Sequence, residues 1–237
     1  MILQEDKIMT KYYTAVGKFI HPSEGQGHLN PSVIVGNNEC LLDPQELIIW
    51  ASLSWRFLKL EEIGKNYEKE TSVFDYTNER SWEKCLERLM VRGLVVCGNG
   101  ETDYDSLYDL LSPLFIIPLT GNVTARFFTY AKLTLLHHVP AADAKPLIKR
   151  DKKTPKEKHL IKLVQQAPLT VGELVRCVDK GIRSLDGNDS VMDLLYDDTE
   201  LTSDNIGATV KYALCCQDVT ITVANLYLRQ QLIFDRV

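Results

Sequence analysis

The sequence has no apolar run long enough to cross a membrane. Its longest conspicuous run, LFIIPL, occupies residues 114–119, whereas a membrane-spanning helix needs about 20 apolar residues. The N-terminus also lacks a basic region followed by an apolar core, so we expect no signal peptide. Both absences predict a cytoplasmic protein that has no membrane partner.

An excess of positive charge is missing as well. The chain has 27 Lys and Arg residues against 32 Asp and Glu residues, which gives a formal net charge of −5 at pH 7. This balance excludes a strongly basic protein that coats nucleic acid, because nothing attracts the whole molecule to phosphate. The net charge of the whole chain does not rule out a local basic surface on this acidic protein.

The motifs of metal sites and of common enzymes are absent. No two of the 6 cysteines form a C-x-x-C pair, and most lie inside apolar runs, which is typical of reduced thiols in a cytosolic protein. His137 and His138 are adjacent, as are Cys215 and Cys216, but neighbours on a helix point about 100° apart and rarely share a metal ion. Neither G-x-S-x-G nor H-E-x-x-H nor a complete G-x-G-x-x-G occurs. We therefore expect a non-enzymatic protein with no catalytic residue, no metal and no cofactor.

The first half of the chain carries a series of helix and strand signals. They predict helices over 44–55, 60–68 and 79–92, a strand over 94–97, a tight turn at 98–100 and a returning strand over 101–104. Asp43 and Pro44 mark the first helix start, because a capping side chain precedes a proline in the first helical position. Gly93 supplies the stop of the third helix.

The segment from Trp82 to Glu101 resembles part of a winged helix-turn-helix domain of bacterial transcription regulators. The recognition helix of such repressors often has the form L-x-x-L-x-x-x-G-L-V and is followed by a polar wing. The matching residues in this chain are Leu86, Leu89, Gly93, Leu94 and Val95. The resemblance covers residues 43–105 and implies that 79–92 is the recognition helix and Gly98-Asn99-Gly100 the wing tip. It is informative about the fold but only weakly about function, because one fold hosts many roles.

The expected fold class is α+β, mostly α, with two domains. The predicted divisions are an N-terminal arm at 1–32, a winged-helix domain at 33–120, a connecting helix at 121–148, a basic linker at 149–158 and a helical C-terminal domain at 159–237. Prolines and glycines at 21–31 predict an irregular arm, and the charged, proline-interrupted sequence of 149–158 predicts the linker.

The C-terminal domain repeats the winged-helix order loosely. Thr170 and Glu173 have the spacing of a capping box, which predicts a helix start. A longer helix is expected from Ser203 to about Cys216. The partly alternating, β-branched sequence over 219–234 then suggests a final hairpin.

Basic residues recur at every fourth position along the predicted recognition helix. They are Arg80, Lys84, Arg88 and Arg92. Each step of four drifts by about 40°, so the four side chains share a stripe about 120° wide, suited to phosphates or base edges in a major groove. The helix predicted over 79–92 is the third of the chain, α3, and we call these four residues the α3 basic stripe.

Further candidate DNA contacts come from the wing and the linker. These are Asn99, Lys149, Arg150, Lys152, Lys153 and Lys156. Together with the α3 basic stripe they predict a DNA-binding transcriptional regulator whose partners are double-stranded DNA and a second copy of the chain.

Acidic residues beside the same elements keep an alternative open. Glu79, Glu83 and Glu87 run along the stripe within intrahelical pairing distance, which favours a self-neutralised, solvated helix face. The wing carries Glu101 and Asp103 without a basic residue, which is unfavourable for phosphate. The alternative is a winged-helix adaptor that binds another protein and not DNA, with 149–158 as a solvated connection.

Overall fold

A computed structural model of the chain describes residues 9–20, 31–72, 80–119, 152–187, 191–192, 195 and 206–236. The strands are β1 Thr10–Ala15, β2 Lys18–Ile20, β3 Ser32–Val35, β4 Asn38–Leu41, β5 Val95–Gly100, β6 Phe115–Pro118 and β7 Leu232–Asp235. The helices are α1 Pro44–Leu53, α2 Leu60–Thr71, α3 Trp82–Val91, α4 Asp103–Leu111, α5 Pro155–Gln166, α6 Val171–Asp179 and α7 Ile206–Leu228. Helices accompanied by small antiparallel sheets make this an α+β protein, as expected.

The first sheet is antiparallel and has the order β2-β3-β4. Gly36 is the first of the two residues between β3 and β4, and its φ of 56° is the left-handed conformation that glycine adopts readily there. Leu42 N–H donates to the Pro31 carbonyl at 2.9 Å, which fixes the register of the hairpin.

The predicted N-terminal arm over 1–32 is wrong for residues 10–20. β1 pairs antiparallel with β5, and Tyr13, Ala15 and Val16 are buried. The backbone groups of β5 need partners, and β1 supplies them along one side. Residues 21–30, where the prolines and glycines lie, are outside the described part of the chain.

The three helices before β5 confirm their sequence signals. Asp43 is the N-cap of α1, and Pro44 occupies its first turn. Ser81 is the N-cap of α3, which begins at Trp82, three residues after the predicted start at 79. Gly93 has a φ of 72° and ends the third helix. Their apolar faces bury Ile49, Ile63 and Leu89 completely.

The predicted wing is wrong, because its tip is strand and its second strand is helix. Gly98 and Gly100 continue β5, and α4 begins after the Thr102 cap. A Cβ on Gly98 would lie 2.3 Å from the backbone N of Leu110, and one on Gly100 would lie 2.2 Å from the N of Ser106. Glycine is therefore used here for the close approach of α4 to β5 and not for a turn.

The basic linker is wrong at its C-terminal end. Thr154 caps α5 through a reciprocal capping box with Glu157, so residues 155–158 are its first helical turn, with Pro155 at the position that lacks a hydrogen-bond acceptor. The Thr170 capping box is confirmed at the start of α6. Residues 121–151, including the expected connecting helix, lie outside the described part.

The predicted C-terminal hairpin is also wrong. Residues 219–228 continue α7, and only β7 is extended, paired antiparallel with β6. Val219 and Val223 are fully buried on α7. Burial of such side chains is worth about 1.5–3 kcal/mol each and outweighs the few tenths of a kcal/mol by which β-branched residues disfavour a helix.

The described residues contain two hydrophobic clusters. One lies among β1, α1, α2, α3 and the start of β5, and the other among α4, β6, α5, α6, α7 and β7. Tyr227 links them, because its hydroxyl lies 2.9 Å from Thr14 Oγ1 and its ring lies 4.5 Å from that of Phe234. No described helix is long and apolar enough to cross a membrane.

Candidate functional site

Three residues of the α3 basic stripe turn toward the N-terminus of α1. Arg80 Nη2 lies 2.6 Å from Asp43 Oδ2, Arg88 Nε lies 3.0 Å from Glu46 Oε1, and Arg92 Nη1 lies 2.8 Å from Glu46 Oε2. We call these five side chains the α1–α3 ion-pair cluster. The stripe therefore joins two helices of the fold for most of its length.

Both carboxylates of the cluster also build the start of α1. Asp43 Oδ1 accepts from Glu46 N–H at 2.9 Å, and Glu46 Oε2 accepts from Asp43 N–H at 3.3 Å. Negative charge at this position also interacts favourably with the positive end of the helix dipole. The same two acids therefore cap one helix and hold a second one against it.

Burial explains why Glu46 attracts two arginines. Its side chain is 1% exposed, so its charge has lost its hydration and needs partners within the protein. Arg88 remains 53% exposed and Arg92 27% exposed. Hydrogen bonding to Asp43 raises the pKa of Arg80, and burial raises the pKa of the neighbouring Cys85 thiol.

The remaining residues predicted on α3 and on the wing lie apart from the cluster. Lys84 is exposed, and it forms no ion pair with any residue that the structure describes. Asn99 is exposed on β5, with its backbone N–H donating to Asp109 Oδ2 at 2.9 Å. Neither residue takes part in the α1–α3 ion-pair cluster.

The linker residues predicted for DNA binding are divided. Lys149 and Arg150 lie outside the described part, Lys152 is exposed and Lys153 is half-buried. Lys156 is in α5 and contacts the carboxylate of Asp218 in α7. Burial lowers the pKa of Lys156, which makes its charge less favourable than that of an exposed lysine.

A groove lies beside the cluster, between β4 and α3. Its volume is about 360 Å³. Its lining residues are Leu41, Leu42, Asp43, Pro44, Glu46, Arg88 and Arg92. The groove offers an apolar side at Leu41, which is 47% exposed, and a cationic side at Arg88.

The outer edge of β4 forms one wall of this groove. Because Leu42 pairs with Pro31 and Cys40 with Val33, the alternation of an antiparallel pair turns the backbone groups of Glu39 and Leu41 away from β3. The Leu41 carbonyl accepts from Arg92 Nη2. The N–H groups of both residues have no acceptor among the residues described.

Metal-binding clusters are absent from the part of the chain that the structure describes. No group of three or more His, Cys, Asp or Glu side chains suited to a metal ion occurs in the described ranges. The 6 cysteines are free thiols, and burial raises the pKa of Cys177 to about 11, so that thiol is protonated at neutral pH.

No protein-family model, curated protein or solved structure matches the chain.

Proposed function

We propose that this protein is a cytoplasmic, non-enzymatic interaction module that binds an extended segment of another protein. The observation that carries the proposal is the outer edge of β4 beside Arg88, with which no strand in the described ranges pairs. An extended peptide can add to such an edge through main-chain hydrogen bonds, and the neighbouring groove can select its side chains.

The charge of the α1–α3 ion-pair cluster favours a peptide over duplex DNA. Three arginines share two carboxylates, so one positive charge remains, and the exposed part of Arg88 carries it into the groove. One cation suits one acidic side chain of a peptide. DNA binding uses several phosphate contacts, and Arg80, Arg88 and Arg92 already have carboxylate partners.

The groove also defines the peptide that would fit best. Side chains of an extended peptide alternate between two faces, so every second residue would meet the groove. Leu41 offers an apolar contact, and Val91 on α3 is 83% exposed close to Arg92. The expected partner therefore alternates apolar and acidic residues on the face that meets the groove.

Selection from a phage-displayed library of random dodecapeptides tests this proposal. We expect enrichment of peptides with apolar and acidic residues two positions apart, and binding of the synthetic peptides by fluorescence anisotropy. Arg88→Glu should weaken that binding by about tenfold or more, since it reverses the charge that faces the acid. Leu41→Pro should weaken it too, because proline removes one outward N–H without breaking the β3–β4 pairing.

Lys84→Gln is the matched control, because Lys84 is exposed on the same helix and does not line the groove. It should leave peptide binding unchanged. Failure of the library to enrich any peptide, or equal binding by Leu41→Pro, contradicts the proposal. Duplex DNA that binds at 50 mM salt and is lost in Lys84→Ala would instead support the transcription-regulator prediction.

A further inference from the structure

A second cavity lies beside α1, shares only Pro44 with the lining of the β4 groove, and is independent of the proposed function. It lies between α1, α2, the loop after α1 and the end of α7, and its volume is about 830 Å³. This is within the usual range of roughly 300–1,000 Å³ for small-molecule sites. Leu47, Ile48, Ala51 and Leu228 give it apolar walls.

Two strained backbone positions line this cavity. Trp55 and Gln230 each have a φ of 56°, and no other non-glycine residue in the described ranges has a positive φ. Both follow the ends of helices, α1 and α7, where the left-handed conformation normally selects glycine. A bulky aromatic residue at such a position is a genuine outlier, and strain of this kind clusters at ligand sites.

A hydrogen bond to Tyr227 holds the backbone of Trp55 in this conformation. Its backbone N–H donates to the hydroxyl of Tyr227 at 2.9 Å. Its indole Nε1 is buried and has no hydrogen-bond partner among the residues described. The backbone of Trp55 is therefore fixed where this residue lines the cavity.

The polar rim of the cavity has more positive than negative charge. Arg56 and Lys69 are exposed cations, and Glu70 is the one carboxylate among the described residues that line the cavity. None of the three forms an ion pair within the described part of the chain. Cations above apolar walls complement a molecule that has an apolar body and an anionic end.

We propose that this cavity binds a small amphiphilic anion, with its apolar body against α1 and Trp55 and its anionic group at Arg56 and Lys69. Arg56 and Lys69 would determine the preference for an anion. The apolar walls would add affinity by covering the apolar body of the ligand.

Binding of 8-anilinonaphthalene-1-sulfonate to the full chain tests the proposal, because this probe combines an aromatic body with a sulfonate. We expect one probe per chain by calorimetry and a rise in its fluorescence. The double variant Arg56→Gln with Lys69→Gln should bind it about tenfold more weakly, whereas the uncharged N-phenyl-1-naphthylamine should bind both proteins equally. Ala51→Trp should block both probes by filling the cavity from an exposed position on α1.

Lys65→Gln is the control for charge, since Lys65 is exposed on α2 and does not line the cavity. It should leave both affinities unchanged, and circular dichroism should show the same helix content in every variant. Absence of probe binding to the wild type, or equal sulfonate binding in the double variant, overturns the proposal. Arg88→Glu should not affect either probe, so this result is separable from the test of the β4 groove.

Discussion

Glu46 is the residue on which the arrangement of α1 and α3 depends most. It is buried, caps α1 together with Asp43 and receives two arginines from α3. Its D-x-x-E spacing from Asp43 is readable in the sequence as a capping box. Its pairing with the arginines could not be predicted from the sequence. No local pattern indicates which helix will supply the cations that a buried carboxylate requires.

Removal of the Glu46 carboxylate should destabilise the fold strongly. We expect Glu46→Ala to lower the free energy of unfolding by about 3 kcal/mol, since it leaves arginines facing a buried site without a counter-charge and removes half of the capping box. Denaturation by urea, followed by circular dichroism, measures this change.

Glu87→Ala provides the comparison, because Glu87 is an exposed acid on α3 outside the α1–α3 ion-pair cluster. Its effect should stay within about 0.5 kcal/mol. Similar losses in the two variants would contradict the role given to Glu46.

At the scale of the elements, the starts of helices were easier to predict from the sequence than the strands. Asp43 and Thr170 cap their helices through side chains that lie next to them in the chain, so local sequence contains the whole signal. Thr154 forms the same kind of cap, but the charges and the proline of 149–158 led to the wrong prediction of a linker there. β4, with the sequence NECL, has little β-branched character and forms because β3 lies beside it. The wing was mispredicted because a glycine pair can serve either a turn or a close approach, and only the position of α4 decides between them.

Substitution of Gly98 tests this explanation at the level of one strand and one helix. Gly98→Ala would place a Cβ 2.3 Å from backbone atoms of Leu110 and Ser106. Since backbone atoms cannot move aside cheaply, we expect a loss of about 3 kcal/mol or more in the free energy of unfolding. Thermal unfolding followed by circular dichroism checks the sign and the size.

The adjacent Asn99 is the control position, because its side chain is exposed on the same strand. Asn99→Ala should change stability by less than about 0.5 kcal/mol. If Gly98→Ala were equally harmless, the glycines would not be required for the packing of α4 on β5.

At the scale of the whole molecule, Tyr227 holds the first strand to the last helix. Its hydroxyl accepts from Trp55 N–H at 2.9 Å and donates to the Ala15 carbonyl at 3.2 Å, and burial raises its pKa. A contact between residues so far apart in sequence was not predictable from either end alone. The candidate functional sites could not be predicted for the same reason, because each combines residues from several elements that are distant in sequence.

Loss of the Tyr227 hydroxyl should weaken the link between the two hydrophobic clusters. We expect Tyr227→Phe to lower the free energy of unfolding by about 1–3 kcal/mol, because the buried Trp55 N–H loses its acceptor. Urea denaturation measured by both tryptophan fluorescence and circular dichroism gives the size of the loss.

Asn225→Ala, at an exposed position of the same helix, should have little effect. Two separate transitions in the tyrosine variant would show that the clusters had become uncoupled. An unchanged midpoint would contradict the linking role.

The pairing of β6 with β7 also constrains when the chain can complete its fold during synthesis. Residues 115–118 leave the ribosome long before their partners at 232–235 exist. At a translation rate of about 5–20 residues per second, the interval is roughly 6–25 s. During that time Ile116, which is buried in the finished protein, has no strand beside it. The nascent chain must therefore remain soluble with an open strand edge, which is a situation in which chaperones bind.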